Sequence, residues 1–88
     1  MNGDFIVKQA EFMAERVAAL KSQNIVEAAF EIALGRKPEA PETRWCESHL
    51  ESQRRAFQGS FAGDRAERKA LASLCQVLLS GNEFIYRD

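Results

Sequence analysis

The sequence has few of the residues on which metal, redox and disulfide chemistry depend. It contains two cysteines, Cys46 and Cys75, and a single histidine, His49, among 88 residues. The cysteines form neither a CxxC nor a CxxCH motif, which excludes the usual zinc, thioredoxin-like and haem-attachment patterns. A Cys/His zinc site would need more ligands than these three residues supply. We therefore expect no metal and no cofactor to be bound by this chain.

Long apolar runs and a strong net charge are also missing. No run approaches the roughly 18 apolar residues of a membrane-spanning helix. The net charge of -1 gives no overall attraction to nucleic acid or to anionic lipid. The first residues, MNGDFIVKQAEF, are unlike a signal peptide because an acid precedes the apolar residues. With 45% hydrophobic and 28% charged residues, the composition is typical of one small globular domain spanning residues 1–88.

Apolar residues repeat at helical spacing, which predicts four helices and no strand. The first helix is predicted from about Asp4 to Leu20. The second begins after Asn24, which forms a capping-box-like pair with Glu27, and it ends at Gly35. Because the second helix is apolar around most of its circumference, we expect it to be central. The core stripe of the first helix is predicted to comprise Ile6, Ala10, Met13, Val17 and Leu20, widened by Phe5 and Phe12.

The second half of the chain predicts a helical hairpin. A weakly amphipathic third helix, from about Ala40 to Phe57, should be the most exposed of the four. After a loop over residues 58–63, an Asp64–Glu67 capping box should start the fourth helix, which Gly81 ends. The short loop makes the two helices antiparallel neighbours, with the chain folded about residue 61. The sequence thus predicts an all-α, small antiparallel four-helix bundle with a short C-terminal turn. The apolar face of its fourth helix is predicted to contain Ala70, Leu71, Leu74, Cys75, Leu78 and Leu79.

The predicted hairpin brings Cys46 level with Cys75. Helix axes lie about 8–10 Å apart, whereas a disulfide needs Cα atoms within roughly 4.4–6.8 Å of each other. We therefore expect two buried free thiols, with a disulfide as the alternative. His49 should be half-buried or at the surface. Ser48 and Ser52 lie near it in the sequence but are not placed on the helix to act together with it. No nucleophile with its base and orienting group is visible, so we expect no catalytic residue.

Positive charge gathers around the loop between the third and fourth helices. Two aromatic residues, Phe57 and Phe61, lie among these cations, which would suit single-stranded nucleic acid. Asp64 and Glu67 offset part of the charge, and the chain as a whole is nearly neutral, so a solvated hairpin end is the favoured interpretation. The cations are Arg54, Arg55, Arg65, Arg68 and Lys69.

Several large apolar residues lie outside the long helices. They either close the ends of the bundle, which we favour because a small core needs every large side chain, or they form a docking surface for another domain. These residues are Phe61, Phe84, Ile85 and Tyr86.

Three stretches of the chain resemble domain-of-unknown-function family 1553, which occurs in large planctomycete proteins. MNGDFIVKQAEFMAERV is similar to that family's N-x-x-F-V-x-x-Q-A-x-x-x-A-x-R segment, and IVEAAFEIALGRKPEAPE to its I-x-x-x-Y-x-x-A-L-G-R-x-P-T-x-x-E segment. LASLCQVLLSGNEFIYRD is similar to its L-x-x-L-C-x-x-L-L-N-S-N-E-F-L-Y-V-D ending. The motif residues are Gly35, Arg36, Pro38, Asn82, Glu83 and Phe84.

The resemblance implies that the chain is the C-terminal portion of a longer, exported protein. A cytochrome-c-like domain often lies upstream in that family, and it would carry any redox role. Glu39 stands where the family usually has a capping Thr or Asp, which predicts a weak cap for the third helix. Arg36 follows the end of the second helix and Glu83 follows the end of the fourth, so the two either pair and fold the C-terminal turn back toward Gly35 or both point to solvent.

Three functions are compatible with these features. The favoured one is a non-catalytic helical module that packs on or recognises another domain of its parent chain or a separate protein. The second is an accessory segment that completes an upstream hydrolytic or redox enzyme domain. The third is weak nucleic-acid binding through the cations near the loop, which the neutral net charge disfavours.

Overall fold

The computed structural model describes residues 3–81, and within that range the chain forms four helices and no strand. The helices are α1 (Gly3–Leu20), α2 (Ile25–Leu34), α3 (Ala40–Gln58) and α4 (Gly63–Ser80). The predicted all-α four-helix bundle is confirmed, and each helix end lies within a few residues of its predicted place. The predicted C-terminal turn lies outside the described residues.

Local signals fix both ends of α2. The Asn24 side-chain oxygen accepts a hydrogen bond from the Glu27 backbone N–H at 3.0 Å, which satisfies one of the unpaired donors of the first turn. At the other end, Gly35 adopts a left-handed conformation (φ 74°) and its N–H donates to the Glu31 carbonyl at 2.9 Å. A side chain would strain this conformation, whereas glycine adopts it without steric strain and so ends the helix.

Helix α4 shares the central position with α2, the helix that the sequence predicts to be central. Each of these two helices contacts all three others, whereas α1 and α3 do not contact each other. Helix α2 has only ten residues, so it covers a smaller part of its neighbours than its apolar sequence suggests. Six residues of α4 are buried: Ala66, Ala70, Leu71, Leu74, Cys75 and Leu78.

The core face of α1 is narrower than the sequence predicts. Ala10, Met13 and Val17 are buried as expected, and Ala14 joins them. Small alanines on this face let α1 approach its neighbours closely. Of the other predicted stripe residues, Ile6 is half-buried and Leu20 is exposed. Phe5 and Phe12, which were predicted to widen the stripe, are also exposed, because no helix among residues 3–81 covers that flank of α1. Leu79 of α4 is likewise more exposed than predicted.

Helices α3 and α4 form the predicted antiparallel hairpin. His49 lies opposite Ser73, and Arg54 lies opposite Glu67. Both pairs match a chain folded about residue 61, so the predicted register is confirmed. Helix α3 buries only Glu42, Cys46 and Leu50, the fewest of any helix, which confirms that it is the most exposed.

The start of α4 differs from the prediction. Ala62 is the N-cap residue and makes no side-chain capping bond. The Asp64–Glu67 capping box does not form, because Asp64 already lies inside the first turn and the Glu67 carboxylate binds Arg54 across the hairpin. Asp64 still stabilises this end, since a negative charge in the first turn opposes the positive end of the helix dipole.

Candidate functional site

A partly buried ion pair joins the connector after α2 to the first turn of α3. Glu42 is 2% exposed and is the one buried charged residue among residues 3–81. Arg36 binds it with two parallel hydrogen bonds, Nη1 to Oε1 at 3.0 Å and Nη2 to Oε2 at 2.8 Å. The Arg36 guanidinium also lies 5.0 Å from the centre of the Phe30 ring, a cation–π arrangement. The Arg36 side chain therefore connects α2, the connector and α3.

Glu42 also caps α3. Its Oε1 accepts a hydrogen bond from the Glu39 backbone N–H at 2.8 Å, so the first turn is closed from inside the helix. The hydrogen bond from Arg36 lowers the pKa of the Glu42 carboxyl, and it outweighs desolvation, which acts in the opposite direction. The Glu39 side chain in turn accepts from the backbone N–H of Glu42, so the two residues form a capping box, which corrects the prediction of a weak cap for α3.

The motif residues of the sequence fall into two groups. Gly35 ends α2, Arg36 binds Glu42, and Pro38 lies half-buried in the connector. Asn82, Glu83 and Phe84 lie outside the described residues, as do Ile85 and Tyr86, so an Arg36–Glu83 pair would lie outside them too. The predicted site residues do not include Glu42, although it ends the R-x-P-T-x-x-E pattern, whose spacing is the sequence signal for it.

A second, partly buried contact joins α3 to α4 through His49. Its Nε2 lies 3.0 Å from the Ser73 Oγ, and its ring stacks on Trp45 with 4.9 Å between ring centres. Ser48 and Ser52 are the serines near His49 in the sequence, whereas only the hairpin register brings Ser73 close to it. Ser73 lies inside α4, where the backbone N–H groups are engaged in the helix and cannot form an oxyanion hole. This geometry supports a structural tie between the two helices.

The His49 contact predicts that stability falls in mild acid. Burial lowers the pKa of His49 below the usual 6.5, so the unfolded chain takes up its proton first as the pH falls. The titration of His49 leaves the free energy of unfolding unchanged above pH 6.5 and lowers it as the pH falls from there toward the pKa of His49 in the folded chain. Urea unfolding between pH 7.5 and 5.5 should show this loss, and a His49→Gln variant should show a flatter profile. Equal slopes in both proteins would contradict the assignment.

The cations near the α3–α4 loop are largely engaged. Arg54 binds the Glu67 carboxylate with Nε to Oε1 at 2.8 Å and Nη2 to Oε2 at 2.9 Å, and it lies 3.5 Å from Glu51. Arg55 lies 3.4 Å from the same Glu51. Arg65, Arg68 and Lys69 line a surface cavity of about 200 Å³ together with Glu11 and Glu15, so the charge there is mixed.

Phe61 is half-buried and closes the loop end of the hairpin. Its ring centre lies 6.1 Å from that of Phe57. The charged groups of Arg65 and Lys69 lie 5.2 and 5.1 Å from the Phe61 ring centre. The ring is thus enclosed by its own chain, in keeping with the interpretation that it plugs the bundle end.

Among residues 3–81, the most exposed aromatic side chains lie on α1. Phe12 is 62% exposed and Phe5, seven residues earlier on the same flank, is 57% exposed. Phe12 borders a surface cavity of about 190 Å³ between α1, α2 and α4, which Gln9, Met13 and Arg16 also line. We call the following residues the apolar surface: Phe5, Phe12, Ile32, Ala33 and Leu79.

The described residues hold no candidate metal site and no membrane span. No group of three or more His, Cys, Asp or Glu side chains within residues 3–81 is placed to hold a metal ion. None of the four helices is apolar enough over sufficient length to cross a bilayer. Both thiols are free and buried, and desolvation raises the pKa of Cys46 to about 11 and that of Cys75 to about 12. Neither cysteine is therefore a reactive thiolate near neutral pH.

Fold and site together define a small all-α helical module with an internal ion-pair network and one exposed apolar surface. Comparison with protein-family models, with curated proteins and with solved structures finds no match to this chain.

Proposed function

We propose that this chain is a non-catalytic helical module that packs, through its apolar surface, against a neighbouring domain of a longer parent chain. The observation that carries the proposal is the pair of exposed aromatics, Phe5 and Phe12, on one flank of α1. Single exposed apolar residues are common, but a cluster of large ones beside a cavity is typical of an interaction site. Buried aromatic anchors supply much of the binding energy in protein interfaces.

Charge around Phe12 is mixed. Lys8 and Arg16 lie four residues before and after Phe12 on the same flank of α1, and Glu15 lies three residues after it; all three are exposed. The exposed aromatic side chains, and not charge, therefore carry the proposed interaction.

The other two functions draw less support from the geometry. Nucleic-acid binding would need unpaired cations and an accessible stacking ring, whereas Arg54 binds Glu67 and Phe61 lies between Arg65 and Lys69. An accessory role in an upstream enzyme would need a reactive group to contribute. The His49–Ser73 pair is the nearest arrangement among residues 3–81, and it lies between two packed helices.

Substituting Phe12 should separate binding from folding. We expect Phe12→Ser to weaken binding to the upstream part of the parent chain, expressed separately, by at least about tenfold, since it removes a central anchor. The thermal midpoint should change by only a few degrees, because the side chain is mostly exposed. Isothermal titration and a thermal melt measure both effects.

Val7→Ser provides the matched control for this experiment. Val7 is also exposed, at 38%, but it lies on the opposite flank of α1 beside Lys69 and Gln76. We expect Val7→Ser to bind like the unaltered chain. Absence of binding by the unaltered chain, or equal losses in the two variants, would refute the proposed surface.

A further inference from the structure

One face of α1 points away from the rest of the bundle. Residues seven apart on a helix lie within about 20° of each other, so Phe5, Phe12 and Ala19 form a single line along this face. All three are exposed, and they lie on the side of α1 opposite the buried Ala10 and Ala14. The line runs from residue 5 to residue 19, about 21 Å of helix, which is long enough for another helix to pack along it.

Polar side chains border this line on both sides. Lys8 and Glu15 lie on one side, seven residues apart. Gln9 and Arg16 lie on the other side with the same spacing. All four are exposed, and the three charged groups have no ion pair within residues 3–81. The two groups on each side can therefore pair with each other between two helices, provided that the second helix runs in the opposite direction.

A second copy of the same helix, running antiparallel, meets this requirement. A two-fold axis at Phe12 sets that ring against its counterpart and sets Phe5 against the small Ala19 of the second copy. The same axis sets Lys8 against Glu15 of the second copy, and the symmetry repeats each contact, as in any isologous dimer. Both aromatic residues thus find apolar partners, and opposite charges find each other.

The other border of the line and the parallel alternative favour the same arrangement. On that border, the Arg16 guanidinium meets the Gln9 amide oxygen of the second copy, which can accept its hydrogen bond. In a parallel pair, by contrast, Lys8 would meet Lys8 and Glu15 would meet Glu15, and like charges across an interface are unfavourable. Charge complementarity therefore selects the antiparallel pair.

We propose that two copies of this chain associate through α1, antiparallel and related by a two-fold axis near Phe12. A single pair of 18-residue helices offers less area than the roughly 1,200–2,000 Å² of stable interfaces, so the dimer is weak, with a dissociation constant on the order of 10–100 µM. Phe12 also belongs to the apolar surface proposed for the neighbouring domain, so dimer and domain exclude each other. Only that competition rests on the proposed function.

Sedimentation equilibrium of the full chain, from about 5 µM to about 1 mM, measures the association. We expect a monomer–dimer equilibrium, weakened about tenfold by Lys8→Glu or by Glu15→Lys, because each substitution sets like charges opposite each other twice. Both substitutions in one chain exchange the two charges and should restore the association. Mixing the two single variants should also restore it, since one chain then carries two acids and the other two bases on this face.

Glu47→Lys is the matched control. It makes the same charge change as Glu15→Lys at an exposed position of α3, a helix that does not contact α1, and it should associate like the unaltered chain. Monomers at every concentration, no recovery in the double variant, or an equal loss in Glu47→Lys would overturn the proposal. These measurements use the chain alone, whereas the Phe12→Ser titration needs the upstream part of the parent chain, so each proposal can fail without the other.

Discussion

Replacing Phe30 with alanine is expected to destabilise the bundle by about 3–5 kcal/mol, the largest effect we predict. Phe30 is 0% exposed and is among the largest fully buried side chains of the chain. Its loss would remove apolar burial, leave a cavity in the core, and take away the ring over which the Arg36 guanidinium lies. Domains of this size are stable by only about 5–15 kcal/mol, so the variant should lose a large share of its stability.

Chemical unfolding in urea measures this effect, and Phe12→Ala supplies the control. Both substitutions remove a benzyl group from a helix, but Phe12 is 62% exposed. We expect Phe12→Ala to change the free energy of unfolding by about 0.5 kcal/mol or less. A milder Phe30→Leu variant keeps the comparison measurable if Phe30→Ala does not fold. Similar losses in Phe12→Ala and Phe30→Ala would contradict the assignment of the core.

Replacing Arg36 with methionine should cost about 2–3 kcal/mol, the second-largest effect. The change leaves the Glu42 carboxylate buried without its partner, and a buried charge that loses its partner typically costs about 3–5 kcal/mol. We place the figure below that range because Arg36 is 41% exposed, so water can reach part of the pair. Lys37→Met is the control: Lys37 lies 4.0 Å from Glu27 in an exposed pair, which predicts less than about 1 kcal/mol.

The pH dependence of these variants tests the role of Glu42 separately. The pKa of Glu42 in the folded chain lies below its ordinary value of 4.5, so the unfolded chain binds the proton more readily. The contribution of the ionised Glu42 to the free energy of unfolding is therefore fully present above pH 4.5, and it is lost as the pH falls through the pKa of Glu42 in the folded chain. The difference in unfolding free energy between Arg36→Met and the unaltered chain should shrink below pH 4.5. A constant difference from pH 7 to pH 3 would show that Glu42 is not the group involved.

The Arg36–Glu42 pair bears on function through the shape of the apolar surface. Arg36 follows the end of α2, and Ile32 and Ala33 in the last turns of that helix form part of the surface. The pair ties this end of α2 to the first turn of α3. We therefore expect Arg36→Met to alter the apolar surface as well as to destabilise the bundle.

Most of the fold was predictable because its signals are local or periodic. Asn24 and Gly35 mark the ends of α2 through backbone chemistry that does not depend on distant residues. The short loop between α3 and α4 fixes their register, so the level of Cys46 relative to α4 followed from counting residues. By contrast, the Asp64–Glu67 capping box failed because Arg54, across the hairpin, offers Glu67 a bidentate hydrogen bond.

By itself, the amino-acid sequence determined four helices, their ends, the hairpin register and the absence of a recognisable catalytic motif, because each depends on residues close together in the chain. Only the tertiary structure showed that Glu42 is buried on Arg36, that His49 meets Ser73, and that Phe12 faces outward. Periodicity gives the direction of an apolar face, but which flank a neighbouring helix covers depends on helix lengths and packing. No helix among residues 3–81 covers the flank of α1 that carries Phe5 and Phe12, so two aromatic residues that read as core in the sequence belong to the surface we propose for binding.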